Sequence, residues 1–135
     1  MQEMIYLDVL AWICVQNKRL LCAKTQGNDV FYLPGGKREI GESDWKGLAR
    51  EVQEEMSVAL VQETLEEELI VREEAHGFSK PTRVIMKCFR AEYSGTLRPS
   101  SEIAEIAWLR RSDITQCAPA TQRVVEHLAA KNLID

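Results

Sequence analysis

Apolar side chains occupy both alternating faces of the first segment, residues 4–15, and this pattern predicts a strand buried on both sides. The polar residues 16–18 and the apolar residues 20–23 predict a turn and a returning strand, so we expect an opening hairpin. A short strand is predicted at 30–33. We expect it to stop at residues 34–36, Pro-Gly-Gly, because proline withholds a backbone donor and glycine permits positive φ.

The clearest helical period follows this turn. Ser43 and Asp44 are residue types that favour the N-cap position of a helix. The apolar residues after them are Trp45, Leu48, Ala49, Val52 and Met56. Their spacing draws one stripe along an α-helix, so a central helix is predicted here.

The second half of the chain contains several strand patterns and ends in a helix. Strands are predicted at 58–61, 69–75, 82–93 and 103–109. The acidic run at 66–68 is most simply placed on a solvated edge or turn, and residues 76–81 form a predicted loop. Pro119 suits the first turn of a final helix.

Together these elements predict an α/β chain of the α+β type. Its strands do not alternate regularly with helices, which argues against a Rossmann sheet. A curved mixed β-sheet sandwiched between a central and a C-terminal α-helix fits the pattern better. Since no linker, repeat or low-complexity segment divides the sequence, we expect a single domain over residues 1–135.

Composition narrows the classes of partner. The 135 residues are 45% hydrophobic and 28% charged, which is the balance of a globular chain. The 17 basic and 21 acidic side chains give a net charge of −4, which argues against a broad basic surface for duplex nucleic acid or an anionic membrane. Phosphate binding would therefore need another source of positive charge, and a bound divalent cation is one candidate.

The N-terminal residues and the cysteines bear on the cellular compartment. The N-terminus lacks a basic n-region and a cleavage site, and the apolar run at 7–15 is far shorter than the ~20 residues that span a bilayer. The four cysteines are Cys14, Cys22, Cys88 and Cys117. No two of them form a C-x-x-C pair, so buried reduced thiols and a cytoplasmic location are expected.

Three glutamates of the predicted central helix share one sector of its surface. Glu51, Glu54 and Glu55 stand at i, i+3 and i+4, a spacing at which like charges repel. A solvated acidic face is the simplest interpretation. However, Arg50 offsets only part of the negative charge of the three glutamates, and the preceding turn can bring Glu42 to the same place. Clustered carboxylate oxygens suit a hard cation such as Mg²⁺, which would neutralise a polyphosphate and activate a water.

Residues 36–58 resemble the signature of Nudix hydrolases, G-x5-E-x7-R-E-U-x-E-E-x-G-U, in which U is a bulky aliphatic residue. Gly36 opens the match, Glu42 follows at the required spacing, and every charged position is filled. Ser57 stands where the pattern has its second glycine, a position that we expect to follow the helix as a C-cap. The lead-in at 32–36 and the layout outside this box resemble the MutT-like branch.

The resemblance implies an activity, a Nudix-like fold and a set of roles. Nudix enzymes hydrolyse a nucleoside diphosphate linked to another moiety and use Mg²⁺ or Mn²⁺. By position, Glu54 and Glu55 are implied as the main metal ligands, and Glu51 as a further ligand or the general base. Arg50 is implied to orient Glu51 through a charge-assisted hydrogen bond.

Other positions complete the implied site. Gly36 is implied to contribute a backbone contact near the metal, and Glu42 to be a structural partner outside it. In several family members a glutamate from a later loop assists catalysis and the metal. Glu102 is the first candidate for this role because it lies just before a predicted strand, and Glu105 is the second. Solvation of the loop is an equally good interpretation of both.

Specificity in this family comes from outside the box. The aromatic residues that could stack on a base, although core packing is favoured for each, are Trp12, Phe31, Phe89 and Trp108. MutT-like enzymes that read an oxidised guanine use an amide near the start of the last helix, where Thr121 matches and Gln122 is adjacent. The basic residues that could contact phosphates, against a default of surface solvation, are Arg19, Lys37, Arg38 and Arg83.

Three classes of function remain open. The leading one is a metal-dependent pyrophosphohydrolase that acts on a (d)NTP or a modified nucleotide. The alternatives are a nucleotide-sensing Nudix-like module without catalysis, and a scaffold whose acidic helix binds nothing. The intact acids of the box favour catalysis. We expect a small-molecule nucleotide as the partner, no nucleic-acid duplex, no membrane, and a monomer or homodimer.

Overall fold

The computed structural model describes residues 3–75 and 78–135, so His76 in the predicted loop at 76–81 lies outside the described residues. The strands are β1 (Ile5–Ile13), β2 (Val15–Gln16), β3 (Arg19–Thr25), β4 (Gly35–Lys37), β5 (Ala59–Leu60), β6 (Glu66–Glu74), β7 (Thr82–Arg90), β8 (Tyr93–Ser94) and β9 (Ile103–Leu109). The helices are α1 (Asp44–Met56), α2 (Pro119–Ala130) and the short 3-10 helices Gln62–Thr64 and Arg111–Gln116. Within the described ranges, none of these helices combines the length and the apolar composition needed to cross a membrane.

A four-stranded mixed sheet with the order β4-β1-β7-β6 forms the centre of the molecule. β1 runs parallel to β7, from Ile5 opposite Thr82 to Ile13 opposite Arg90, whereas β4 and β6 are antiparallel to their neighbours. A parallel pair needs a long crossover, and the connection from β1 to β7 contains α1. Strands β2, β3 and β9 form a second sheet, and β5 pairs with β8.

β1 is apolar on both faces because each face meets its own hydrophobic core. Leu10 and Trp12 belong to a cluster that includes the apolar stripe of α1. Ala11 and Ile13 point the other way, into a cluster that includes Val124, Val125 and Leu128 of α2. The predicted architecture, a mixed sheet between a central and a C-terminal helix, is therefore confirmed.

One predicted strand is displaced along the chain. Phe31 and Tyr32, inside the predicted strand at 30–33, form only isolated bridges. The strand β4 begins instead at Gly35, where the Pro-Gly-Gly sequence predicts a stop. Gly35 has a φ of 146°, and a Cβ added there would lie 2.0 Å from the carbonyl oxygen of Leu10. β4 can thus approach β1 only because glycine stands at this position.

The acidic run at 66–68 begins the edge strand β6. Glu66 and Glu67 are exposed, as expected of a solvated edge. Glu68 differs, because its side chain is only 10% exposed and lies against α2. Its carboxylate accepts a hydrogen bond from Lys131 Nζ at 2.6 Å and lies 2.9 Å from His127 Nε2. This glutamate therefore joins the C-terminal helix to the sheet.

The cysteines are packed in the two cores. All four are buried free thiols, as predicted. Cys22, Cys88 and Cys117 lie in the cluster beside α2, and Cys14 lies in the cluster beside α1. Burial raises the pKa of the Cys14 and Cys88 thiols to about 12, which keeps them protonated and unreactive.

Candidate active site

The acidic sector of α1 lies against the backbone of β4. The N–H of Gly35 donates to Glu55 Oε1 at 2.9 Å. Gly36 lies against the carboxyl group of Glu51, since a Cβ added to Gly36 would lie 2.5 Å from Glu51 Cδ and Oε2. Two successive glycines therefore let a strand lie against two carboxyl groups. Gly36 is thus in contact with the acids, at the place where the resemblance implies a backbone contribution.

Arg50 holds three of the acids in place. Its Nε and Nη2 donate to Glu42 Oε2 and Oε1 at 2.7 and 2.8 Å, which makes a bidentate pair. Its Nη1 donates to Glu51 Oε1 at 2.9 Å and lies 3.6 Å from Glu54 Oε2. The hydrogen bonds from Arg50, followed by that from the Glu39 N–H, lower the pKa of Glu42 to about 2. The guanidinium is thus positioned to orient Glu51.

Glu51 lies in a partly desolvated position. Its side chain is 15% exposed, between the guanidinium of Arg50 and the backbone of β4. Burial raises the pKa of its carboxyl group, Arg50 opposes this increase, and the negative charges of Glu54 and Glu102 add to it. A carboxylate with an increased affinity for protons is a suitable general base.

Among the described residues, Glu55 is the acid with the least exposure, at 6%. Burial raises the pKa of its carboxyl group to about 8, the hydrogen bond from the Gly35 N–H opposes this, and the negative charges of Glu51 and Glu102 add to it. Burying a carboxylate beside other carboxylates costs free energy unless a cation compensates their charge. The environment of Glu55 is therefore one that a bound cation would stabilise.

The loop before β9 adds a fourth acid from outside the helix. Ser101 Oγ donates to Glu102 Oε2 at 2.5 Å. The hydrogen bond from Ser101, followed by that to the Glu102 backbone and the nearby carboxyl group of Glu55, lowers the pKa of Glu102. The second candidate, Glu105, instead forms an ion pair with Lys24 at 3.8 Å. The structure thus places Glu102 beside Glu55 and gives Glu105 a different partner.

The chemistry of these donors fits a divalent cation that the protein only partly surrounds. In the ranges that the structure describes, no group of three or more His, Cys, Asp or Glu side chains forms a ready-made metal site. Mg²⁺ usually takes one or two carboxylates and completes its octahedron with waters and substrate phosphates. Glu54 is 55% exposed beside the less accessible Glu51 and Glu55, so the acids form an open set of this kind.

A cavity of about 640 Å³ opens beside the acids. Gly35, Gly36 and Glu55 line it near α1, and the start of α2 lines another part with the buried residue Thr121. The neighbouring Gln122 does not contribute, because its Nε2 donates to the carbonyl of Cys117 at 2.8 Å. Most lining residues are apolar, and none of those described is Lys, Arg or His. A cavity of this size can hold a small organic ligand.

The sequence analysis did not identify most residues that line this cavity. Among them are Asn28, Asp29 and Phe78. Asn28 Nδ2 donates to the hydroxyl of Tyr32 at 3.3 Å, and Phe78 leaves 52% of its surface exposed. An aromatic side chain in a polar loop between two strands was the available signal for Phe78. The turn around Asn28 carries no comparable signal.

The aromatic residues proposed as alternative base-stacking groups lie in the core, as favoured by the sequence. Trp12, Phe31 and Phe89 are buried, and Trp12 Nε1 donates to the carbonyl of Ala91 at 3.1 Å. Trp108 is partly buried and packs against the core beside α1. None of the four lines the cavity. Core packing is therefore confirmed for these residues.

One basic candidate has partners within the protein. Arg38 Nε donates to Asp8 Oδ2 at 3.0 Å, and its Nη2 pairs with Asp44 at the start of α1. Lys87 Nζ of β7 lies 3.5 Å from the other oxygen of Asp44. These contacts fasten the loop between β4 and α1 to the sheet. Of the other basic candidates, Lys37 and Arg83 are exposed and Arg19 is half-buried.

Ser57 has the conformation expected of a helix C-cap. Its φ of 63° and ψ of 27° place it in the left-handed region, and its N–H donates to the carbonyl of Gln53. The position that carries glycine in the Nudix signature is therefore one where glycine would be less strained. The serine keeps the geometry of the cap.

Comparison with known proteins gives matches that extend over most of the chain. A family model described as NUDIX domain matches residues 5–129. A MutT-like protein of Streptomyces ambofaciens is 29% identical over 112 residues, which cover 82% of this chain and 67% of the relative.

Several solved structures share the fold. The solution structure of the E. coli ORF135 protein has a TM-score of 0.74 at 23% identity, covering 94% of this chain and 91% of that one. The MutT protein from Methanosarcina mazei Go1 has a TM-score of 0.74 at 22% identity, with 98% and 99% covered. The MutT NUDIX hydrolase from Burkholderia pseudomallei has a TM-score of 0.72 at 19% identity, with 90% and 96% covered.

Proposed function

The chain belongs to the NUDIX domain family, and on this premise we propose that it hydrolyses a diphosphate bond in a (d)NTP or a modified nucleotide at a carboxylate-bound Mg²⁺. Family membership makes it a Nudix pyrophosphohydrolase. Nudix hydrolases generally use a divalent metal and act on small nucleotide substrates in which a nucleoside diphosphate is linked to another group. The proposal adds the ion, the kind of nucleotide and the residues responsible.

The observation that carries the proposal is the environment of Glu55. Its carboxyl group is buried, faces the negative charges of Glu51 and Glu102, and has a pKa raised to about 8. A helix made only for stability gains nothing from this arrangement. A divalent cation would compensate the charge and draw substrate phosphates to the same place.

The residues divide into groups with different tasks. Glu54 and Glu55 would be the main ligands of the cation, with Glu51 as a further ligand or as the general base. The backbone of Gly36 lies beside them, and Glu102 would assist from the loop. When bound, the cation neutralises phosphate charge and lowers the pKa of a water molecule.

Arg50 keeps Glu51 in one orientation through the contact at 2.9 Å. In the role of general base, Glu51 would accept a proton from the attacking water, as its raised pKa favours. Glu42 acts only through Arg50, because both of its carboxylate oxygens accept hydrogen bonds from that guanidinium.

The nucleoside end of the substrate fits the cavity of about 640 Å³, which continues from Glu55 to the start of α2. The apolar lining and the exposed ring of Phe78 suit a flat base. Thr121 lines the cavity at the position where the family resemblance implies an amide in enzymes that read an oxidised guanine. A substrate search should therefore include ordinary and modified nucleotides of all bases.

The test is a screen of (d)NTPs, modified nucleotides and nucleoside diphosphate-linked compounds with Mg²⁺ or Mn²⁺, with products resolved by chromatography. On the best substrate, Glu54→Gln should lower kcat by about 10²–10³-fold, as expected when a group that stabilises transition-state charge is lost. Glu66→Gln is the matched control, because Glu66 is an exposed acid on β6.

Two results would contradict the proposal. Turnover that is independent of a divalent cation would exclude the metal mechanism. Near-normal turnover by Glu54→Gln would place the site elsewhere. Tight binding of a nucleotide without cleavage would instead favour the nucleotide-sensing alternative.

A further inference from the structure

A short loop segment, residues 98–100, caps the C-terminal end of α1. The N–H of Arg98 donates to the carbonyl of Met56 at 2.9 Å, and the N–H of Ser100 donates to that of Glu55 at 2.9 Å. Ser100 Oγ donates to the carbonyl of Glu54 at 2.5 Å. The last four carbonyls of a helix have no partner within it, so this segment stabilises the turn that carries two of the proposed ligands.

The residues that follow Ser100 lead directly to Glu102. The N–H of Ile103 donates to the carbonyl of Ser100 at 3.2 Å, which closes a turn around Ser101. On the far side, the N–H of Gln26 donates to the carbonyl of Glu102 at 2.9 Å. Ser100 is therefore bonded to the backbone of two acids of α1 and stands two residues before the acid of the loop.

The hydroxyl of Ser100 has a defined direction. It accepts a hydrogen bond from Ser57 Oγ at 3.3 Å and donates its own proton to the carbonyl of Glu54. A hydroxyl group can donate and accept at the same time, which alanine cannot. The bond that joins loop and helix thus depends on this side chain as well as on the backbone.

We propose that Ser100 is a positioning residue that fixes Glu102 relative to Glu54 and Glu55 and so sets the affinity of the site for its divalent cation. The inference rests on the proposed function, because it takes these acids to act on one cation. Metal ligands must be held within about 0.5 Å of their working geometry, and here they come from a helix and a separate loop. The hydroxyl of Ser100 joins these two elements directly, through its bond to the carbonyl of Glu54.

The first measurement is the binding of Mn²⁺ alone, by titration calorimetry of the metal-free protein. Ser100→Ala should weaken Mn²⁺ binding by about tenfold, within the 10–100-fold range seen when a supporting residue of a metal site is lost. Ser100→Thr keeps the hydroxyl and should restore most of the affinity. Ser94→Ala, at an exposed serine on β8, is the matched control and should bind as the wild type does.

The second measurement separates positioning from general stability. In the hydrolysis assay, Ser100→Ala should need about tenfold more Mg²⁺ for half-maximal activity. The KM for nucleotide at saturating Mg²⁺ should stay close to that of the wild type. The assay is run at a temperature at which the variant is fully folded in EDTA, because Mg²⁺ would otherwise refold a merely unstable variant and mimic a weaker site. Under these conditions, a variant that is only less stable would need no more Mg²⁺ than the wild type. If Ser100→Ala does not fold, Ser100→Cys carries the same expectation, because a thiol is a weak donor of similar size.

The outcomes distinguish this inference from the proposed function. If the wild type binds Mn²⁺ and Glu54→Gln is inactive, but folded Ser100→Ala binds Mn²⁺ as the wild type does, only the role of Ser100 is wrong. The same conclusion follows if Ser100→Thr is as weak as Ser100→Ala. If the wild type neither binds Mn²⁺ nor hydrolyses a nucleotide with metal, the proposed function itself fails.

Discussion

At the scale of single residues, the negative charges of the site's acids differ in how closely a positive charge of the protein lies to them. Glu42, Glu51 and Glu54 all lie within 3.6 Å of a nitrogen of Arg50. Glu55 instead accepts a hydrogen bond from the backbone N–H of Gly35 and faces the negative charges of Glu51 and Glu102. The acids near Arg50 are therefore oriented by a fixed positive charge, whereas the charge of Glu55 would be compensated by the proposed cation.

Ser57→Gly tests the helix cap at this scale. Because Ser57 has a φ of 63°, glycine should raise the free energy of unfolding, by at most about 1 kcal/mol. Turnover should stay close to that of the wild type, since the bonds from Ser100 to the carbonyls of Glu54 and Glu55 do not involve Ser57. Urea unfolding and kcat measure the two effects.

The control for this prediction is Ser57→Ala. It removes the same hydroxyl but keeps a Cβ in the left-handed region, so it should not be stabilised. A large loss of kcat in both variants would contradict this prediction, and would mean that the hydroxyl of Ser57 contributes to turnover directly or through its hydrogen bond to Ser100.

Among the elements, the contact between α2 and β6 combines apolar packing with one half-buried acid, Glu68. Glu68 Oε2 lies 2.6 Å from Lys131 Nζ and 2.9 Å from His127 Nε2, both on or next to α2. Arg90 Nη1 of β7 lies 3.7 Å from the other oxygen. Hydrogen bonds from Lys131 and then His127 lower the pKa of Glu68. The carboxylate therefore stabilises the docked helix only while it is ionised.

Glu68→Gln should destabilise the protein by about 1 kcal/mol at pH 7, the usual contribution of one hydrogen bond. The folded-state pKa of Glu68 is below its ordinary value of 4.5, so the stabilisation is present above pH 4.5 and is lost as pH falls through the folded-state value. The difference between the two proteins should therefore shrink in acid. Urea unfolding from pH 3 to 7 measures it, with Glu67→Gln, at an exposed neighbour, as the control. A difference that is independent of pH would contradict the assignment.

Some secondary-structure elements could be predicted from the sequence, and others could not. α1 and α2 follow from apolar spacing and cap residues, and β1 follows from an apolar run with two buried faces. β4 does not, because its pairing depends on a close approach of Gly35 to β1 that local propensity does not express. Likewise, the sequence pattern predicts that Glu68 is exposed. Its contacts with His127 and Lys131 could not be predicted, because these partners are 59 and 63 residues away in the chain.

For the candidate site, too, some residues could be predicted from the sequence and others could not. The spacing of the glutamates on one helix predicts a shared sector, and resemblance to the Nudix signature adds Arg50 and the loop acid Glu102. The contribution of Ser100 could not be predicted, because its hydroxyl meets a helix carbonyl 46 residues earlier in the chain. No local pattern records a contact between a loop side chain and a distant backbone group.

In the whole molecule, the acidic helix and the cavity lie on opposite faces of the central sheet. Leu10 of β1 packs on the side of α1, whereas Ala11 lines the cavity and belongs to the core beside α2. The two sides meet at β4, the edge strand, where Gly35 and Gly36 have no side chains to separate them. Glu55 extends from α1 into the cavity wall at this point. A nucleotide in the cavity would thus have its phosphates beside the acids.

Binding of the cation should therefore stabilise the whole fold, and Glu55→Gln provides the sharpest comparison. With Mg²⁺ at ten times its dissociation constant, the wild type should gain about 1.4 kcal/mol of stability, which raises Tm by about 5 °C for a chain of this size. In EDTA at pH 9, where a carboxyl group with a pKa of about 8 is ionised, Glu55→Gln should melt above the wild type. The amide removes a buried charge that faces Glu51 and Glu102 and still accepts the hydrogen bond from Gly35. The order should reverse as Mg²⁺ is added, since the variant lacks a ligand. Glu66→Gln should follow the wild type throughout. Parallel melting curves for the wild type and Glu55→Gln at all Mg²⁺ concentrations would show that Glu55 does not bind the cation.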